Sequence, residues 1–305
     1  MDQLLLTEVA PRDGLQNQPV RIATADKLDL LSRLAAAGLT RIEAASFASP
    51  KAVPQMADAE EVVAGARRLD GVALSALTMN LRGLERALAC GTPQVATVVA
   101  ATEQMNLRNI NMTLDQATAV AMDVIGRAMQ AGCGVRAYVA VAFECPFEGP
   151  VDPGTVVRLA ERFAAMGVDE VVIADTIGAA GPAQVAGLLR ALLPSLPPGR
   201  VGMHFHDTRG FGVANAHAAI EAGIRRLDAS AGGIGGCPFA PGAAGNVATE
   251  DLVLLAETSG LATGVDLHAL VGAVEFAGGL LGRELGGRAM PWLRRRFASA
   301  ARDGR

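Results

Sequence analysis

His204-Phe205-His206-Asp207 is the stretch with the plainest chemical content in this sequence. Side chains two apart on a strand project from one face, so a strand over Val201–Phe205 aims the imidazoles of His204 and His206 at one point, a metal-ligand geometry. Two histidines alone do not define a site, because a pair of core or loop residues has the same spacing. Other groups of suitable chemistry recur along the chain: Arg12, Asp13 and Gln16; Glu43 and Ser46; Asp175 and Thr176; Asp207; Cys237 and Asn246. Asp13, His204, His206 and Asn246 form a mixed oxygen and nitrogen donor set without thiolate, which suits an octahedral divalent cation such as Mg2+ or Mn2+ better than structural Zn2+. Some members also have ordinary readings. Asn246 follows a glycine ahead of a helix, as turn residues do, Asp175 and Asp207 read equally as caps or turn acceptors, and Glu43 reads as a ligand or as the partner that orients Arg12.

These groups need a scaffold that brings them together. Ala37-Gly38-Leu39, Cys90-Gly91-Thr92, Ala131-Gly132-Cys133, Met166-Gly167-Val168 and Ala222-Gly223-Ile224 each close an amphipathic stretch and precede a short apolar run, as helices do when they end on glycine before the chain re-enters a sheet. The apolar runs predict eight strands: Leu4–Val9, Arg41–Ala45, Val72–Leu77, Gln94–Ala100, Val135–Ala142, Glu170–Ala174, Val201–Phe205 and Arg226–Ser230. Helix starts are predicted at Thr24, at Thr113 with Gln116 as a capping box, and at Asp152-Pro153. Eight strands alternating with helices predict an α/β fold, a TIM (β/α)8 barrel with extra C-terminal helices. We expect a single catalytic domain over 1–305, with the barrel at about 4–260 and a helical extension at about 261–305. Every polar group named above then falls at or after the C-terminal end of a strand, the rim where barrels carry their chemistry.

Hydrophobic residues make up 50% of the 305 residues and charged residues 19%, a composition that builds a core and excludes disorder. A net charge of −4 gives no footing for nucleic acid. The sequence holds no run long and apolar enough for a bilayer and no leader pattern, so a cytoplasmic protein without membrane attachment is expected. Cys90, Cys133, Cys145 and Cys237 lack the paired spacing of a zinc or disulfide framework. Cys90 and Cys133 sit at glycine turns and read as inert, and Cys145 before Pro146 reads as a turn residue. His217 and His268 fall on predicted helices as surface residues. That leaves too few imidazoles for a histidine-rich metal hydrolase.

The residues also carry a family resemblance. Glu8-Val9-Ala10-Pro11-Arg12-Asp13-Gly14-Leu15-Gln16-Asn17, Ser49-Pro50-Lys51 with Val53-Pro54-Gln55-Met56, Asn109-Ile110-Asn111, Cys145-Pro146-Phe147-Glu148-Gly149, Asp175-Thr176-Ile177-Gly178, His204-Phe205-His206-Asp207-Thr208 and Gly235-Gly236-Cys237-Pro238-Phe239 through Gly245-Asn246-Val247-Ala248-Thr249-Glu250-Asp251 resemble the 3-hydroxy-3-methylglutaryl-CoA lyase family over nearly the whole chain. The resemblance implies a divalent-metal-dependent lyase that cleaves 3-hydroxy-3-methylglutaryl-CoA to acetyl-CoA and acetoacetate, with CoA as part of the substrate and a role such as leucine degradation. It implies Asp13, His204, His206 and Asn246 as metal ligands and Arg12, His204 and Cys237 as catalytic. Asp13 joins them as a candidate base and Glu43 as Arg12's companion, while Gln16, Asp175 and Glu250 support the substrate site. Ala52, where the family often has Trp, and Thr102-Glu103-Gln104-Met105-Asn106 depart from the pattern on the acyl side. Citramalyl-CoA or a larger 3-hydroxy-3-alkylglutaryl-CoA are therefore alternative substrates; a Claisen condensing synthase or a non-catalytic acyl-CoA-binding barrel are more distant readings. Apolar faces in the C-terminal helices predict a homo-oligomer, a dimer first.

Overall fold

The computed structural model describes residues 2–236 and 245–302. Cys237, a predicted catalytic residue, lies outside the described residues. The barrel strands are β1 (Leu5–Glu8), β2 (Arg41–Ser46), β3 (Ala73–Leu77), β4 (Gln94–Ala100), β5 (Gly134–Ala140), β6 (Glu170–Asp175), β7 (Val201–Phe205) and β8 (Arg226–Ala229), and a short antiparallel pair, Glu144–Cys145 with Gly149–Pro150, stands outside the barrel. The barrel strands all pair in parallel and in sequence order, and β8 returns to β1 to close the barrel. Around it run α1 (Thr24–Ala36), α2 (Ala59–Ala66), α3 (Leu81–Ala89), α4 (Glu103–Ile110), α5 (Leu114–Gln130), α6 (Pro153–Ala165), α7 (Pro182–Leu192), α8 (Gly212–Glu221), α9 (Thr249–Thr258), α10 (Leu267–Leu281) and α11 (Met290–Arg302).

The outer helices bury apolar stripes against the barrel and one another, such as Leu30, Leu31 and Leu34 of α1, Val124, Ile125 and Ala128 of α5, and Leu188, Leu189 and Leu192 of α7. The helix starts follow their sequence signals where the caps are strong. Thr113 and Gln116 form the reciprocal capping box of α5, and Asp152 accepts from the amides of Gly154 and Thr155 at 3.2 and 3.0 Å. Thr24 does not cap α1. It is the helix's first residue, and its hydroxyl donates to Asp58 Oδ2 at 2.8 Å.

Two departures from simple periodicity bear on the rim. β5 ends at Ala140 rather than Ala142 because Val141 adopts a φ of +49°, a left-handed conformation that β-branched side chains resist at a cost of about 1–3 kcal/mol. Its amide donates to the Thr176 hydroxyl at 2.8 Å, so the bend is tied to the end of β6. After β1 the chain enters a π-helical turn, Ala10–Gly14, in which the amides of Arg12, Asp13 and Gly14 all point to the carbonyl of Val9. Such wide turns are uncommon and frequent at functional sites. Apolar alternation could not foretell it, because the turn contains no strand or α-helical period.

Candidate active site

The wide turn after β1 delivers Arg12 and Asp13 to the C-terminal mouth of the barrel side by side. Arg12 donates from Nε to Glu43 Oε2 at 2.8 Å, pairs with that oxygen through Nη2 at 2.7 Å, and donates from Nη1 to Asp13 Oδ1 at 2.6 Å. Glu43, fully buried on β2, does not line the central cavity; it sits beneath the guanidinium and holds it. Burial pushes the Glu43 carboxyl up, with Arg12 opposing. Burial would loosen Arg12's proton, but Glu43 and Asp13 outweigh it and hold the guanidinium charged.

β7 supplies the imidazoles from one face, as its spacing predicts. His204 and His206 lie with ring centroids 5.2 Å apart, and the candidate ligand atoms of Asp13, His204 and His206 fall within 4.8 Å of one another. Burial opposes the charge on Asp13, yet Arg12 and the two histidines hold its carboxyl below the usual range. Burial, reinforced by the neighbouring His204, pulls the His206 pKa down to about 4, which keeps that imidazole neutral and able to ligate. Asn246 joins from the segment after β8, donating through Nδ2 to Asp13 Oδ2 at 2.7 Å and to the Ile234 carbonyl at 3.1 Å. Gly235 is what allows this approach: its φ is +143°, and a Cβ there would collide with the Asn246 amide.

The donor set fits a divalent cation. His206 Nδ1 and Asn246 Oδ1 are both buried with no hydrogen-bond partner, and buried polar atoms are rarely left unmatched without a reason. A neutral imidazole, an amide oxygen and an ionised carboxylate are the ligand types a hard or borderline cation takes.

Sequence reasoning passed over Asp228, Arg136 and Tyr138. Asp228 on β8 accepts from His204 Nδ1 at 3.2 Å, which leaves Nε2 as that ring's free nitrogen. Burial lowers the tendency of His204 to charge, and Asp228 more than reverses it. Asp228 also pairs with Arg136 at 2.6 Å and accepts from the Tyr138 hydroxyl at 2.7 Å, and Arg136 reaches Glu170 at 2.9 Å. Arg41 and Arg226 complete the interior network on Glu170. A signal existed: Arg136 and Tyr138 on β5, and Arg226 and Asp228 on β8, are each two apart within otherwise apolar strands, the spacing of one inward face.

The cavity measures about 340 Å3. Its lining includes the polar Arg12, Asp13, Gln16, Tyr138, His204 and His206, and the apolar Val53, Leu77, Met79, Val98, Met105 and Ile110 interleaved with Asn80, Asn106 and Asn109. Gln16 Oε1 is buried without a partner. Asp175 and Glu250 do not line the cavity. Asp175 accepts from the amides of Ala179 and Ala180 at 2.9 and 3.0 Å, tying down the loop after β6. Glu250 accepts from the amides of Gly232 and Gly287 at 3.0 and 2.7 Å, bracing the segment after β8. Both carboxyls are raised, chiefly by burial. Cys145 is buried against the Thr102 hydroxyl at 3.1 Å, and His217 and His268 are exposed helix residues.

Residues 3–276 match the HMGL-like family. A Pseudomonas aeruginosa protein named 3-hydroxy-3-isohexenylglutaryl-CoA/hydroxy-methylglutaryl-CoA lyase is 44% identical over 93% of this chain and 95% of its own length. The crystal structure of Bacillus subtilis HMG-CoA lyase superposes with a TM-score of 0.93 at 41% identity, covering 96% of this chain and 99% of that one. An HMG-CoA lyase from Acinetobacter baumannii, solved with coenzyme A and 3-methylmalate, superposes with a TM-score of 0.90 at 40% identity over 94% of each chain.

Proposed function

The chain belongs to the HMGL-like family, and on that premise we propose that it is a divalent-metal-dependent lyase cleaving 3-hydroxy-3-methylglutaryl-CoA between C2 and C3 to acetyl-CoA and acetoacetate. The observation that carries the reading is the meeting of Arg12 with the Asp13, His204 and His206 cluster on one wall of the cavity. Asp13, His204, His206 and Asn246 would hold Mg2+ or Mn2+. When bound, such a cation supplies the charge that acidifies a C3 hydroxyl and fixes its orientation.

Bond cleavage needs a base for the hydroxyl proton and stabilisation of negative charge on the thioester oxygen. Asp13 and His204 are the bases within the cluster. Arg12 has five N–H hydrogens; two go to Glu43 and one to Asp13, which leaves two for the thioester oxygen as charge gathers there. Glu43 thus acts by aiming Arg12. The acetyl carbanion then takes a proton, for which His204 and the sequence-assigned Cys237 are the candidates. Gln16 is a candidate for the acyl end of the substrate, and Asp175 and Glu250 support the loops around it.

The aliphatic and methionine side chains in the cavity lining favour a second reading, a larger 3-alkyl substituent in place of methyl. The test is acetyl-CoA release from 3-hydroxy-3-methylglutaryl-CoA, its 3-isohexenyl analogue and citramalyl-CoA in parallel, with Mg2+ or Mn2+ and with EDTA. Metal-dependent release with highest kcat/KM on the methyl substrate supports the main reading; preference for another substrate replaces it, and no release from any sinks the lyase assignment. No helix among the described residues is long and apolar enough to cross a membrane. A cytoplasmic enzyme is proposed, as is a dimer through the C-terminal helices, where Trp292 stays 44% exposed; light scattering of the purified chain tests the dimer.

A further inference from the structure

Asp13 and Asn246 come from opposite ends of the sequence, yet their side chains touch. Glu8, the last residue of β1, is wholly buried. Its Oε1 accepts from the amides of Ala10 and Ala231 at 2.8 and 2.9 Å, and its Oε2 accepts from the Thr249 hydroxyl at 2.7 Å. One carboxyl group therefore joins three segments: the start of the wide turn that carries Arg12 and Asp13, the start of the glycine-rich stretch after β8, and the first turn of α9, three residues after Asn246. The next amide along the glycine-rich stretch, that of Gly232, goes to Glu250 at 3.0 Å, so that two buried glutamates take consecutive amides there. Glu8 touches neither the cavity nor the cluster.

We propose that Glu8 is a positioning residue for the cation site: its three hydrogen bonds set the spacing between Asp13 and Asn246 and so set the affinity for the divalent ion. The proposal rests on the metal-site reading above. Groups that orient metal ligands through hydrogen bonds typically contribute 10- to 100-fold in affinity, and Glu8 acts on two ligand-bearing segments at once.

Mn2+ affinity of the full chain, read by electron paramagnetic resonance of free Mn2+, tests it alongside melting temperature in EDTA. Glu8→Ala is expected to bind Mn2+ at least about tenfold more weakly. Glu8→Gln is expected to stay within about threefold of the parent, because its carbonyl oxygen keeps both amide contacts and its NH2 group donates to the Thr249 hydroxyl. Leu34→Ala, a cavity in the outer helix layer, is the stability control: its melting temperature falls while its Kd stays at the parent value. If Glu8→Ala does not fold, Thr249→Val removes the Oε2 contact alone and should weaken Mn2+ by about threefold or more. A parent-like Kd in the folded Glu8→Ala chain, or in Thr249→Val where Glu8→Ala fails to fold, overturns the proposal. So does a matching loss in Leu34→Ala, which would tie affinity to stability alone. A parent chain that binds no Mn2+ overturns the metal-site reading itself, and the proposal with it.

Discussion

Replacing Glu8 with glutamine should make the protein more stable, and increasingly so as the pH rises. Burial pushes the Glu8 carboxyl up from 4.5 to about 7, against the opposing pull of the Thr249 hydroxyl and the amides of Ala231 and Ala10. An acid with a raised pKa in the folded chain keeps a proton that the unfolded chain has already released. Its contribution to stability is therefore lost as pH climbs from about 4.5 to about 7, and the loss is complete above that window. The separation of the two values is worth roughly 3 kcal/mol, most of which develops between pH 5 and pH 8. Glutamine keeps the shape and has no proton to lose. In a chain of this size a few kcal/mol corresponds to roughly 5 °C, so the melting temperature of Glu8→Gln, measured in EDTA, should gain about that much on the parent between pH 5 and pH 8. A gap that stays constant within about 1 °C over that range would refute the reasoning. It would mean that the three donors outweigh burial and keep Glu8 ionised throughout.

Arg12→Gln should lower kcat by about 10²- to 10³-fold, the cost of one preorganised donor at a developing oxyanion, while Mn2+ titration shows that the cation still binds; near-parental turnover would remove Arg12 from the reaction. Cys237→Ser should slow turnover strongly with the circular dichroism spectrum unchanged, whereas Cys145→Ser, buried beside Thr102, should change kcat by less than about threefold, within the range of a conservative swap; equal effects would contradict the division of roles. Arg136→Met strips Asp228 of its paired cation in a dry interior and should destabilise the fold by about 3–5 kcal/mol, read as a fall in melting temperature, and a parent-like value would show that water or a neighbour replaces the arginine. Raising Mg2+ or Mn2+ from zero to about 100 times its Kd should stabilise the chain by about 2.7 kcal/mol, and a melting temperature indifferent to the ion would count against the site.

The barrel was legible because its strands are short apolar runs closed by glycines, and the reading lost only a residue or two at their ends. β2 and β6 run on to Ser46 and Asp175, polar residues that hydropathy excludes but whose backbone still pairs with the neighbouring strand. The histidines were legible because a two-residue spacing on a strand has one geometric meaning. Glu43, Asp175 and Glu250 were visible as unusual polar groups, yet their settings were not: each carboxylate is turned toward a guanidinium or toward backbone amides, and an amide donor leaves no trace in a one-letter code. The wide turn at Ala10–Gly14 escaped for the same reason, since three successive amides converge on the one carbonyl of Val9.

The interior network poses a physical question that its location answers. Arg136, Glu170 and Asp228 are almost wholly withdrawn from solvent, and a barrel filled with aliphatic side chains avoids that desolvation. What the ions achieve is control of His204. Burial alone would push Asp228 toward its protonated form, and Arg136 together with His204 holds it well below the usual carboxylate range instead. An ionised Asp228 can only accept a hydrogen bond, so His204 Nδ1 must carry the hydrogen and Nε2 is left free for a ligand or a proton. Tyr138 donates to the same carboxylate and accepts from Arg136 at 2.7 Å while also lining the cavity, so the substrate chamber and the charged interior share a wall. The stability forgone in burying these charges fixes one imidazole in one tautomer at the place where the reaction needs it.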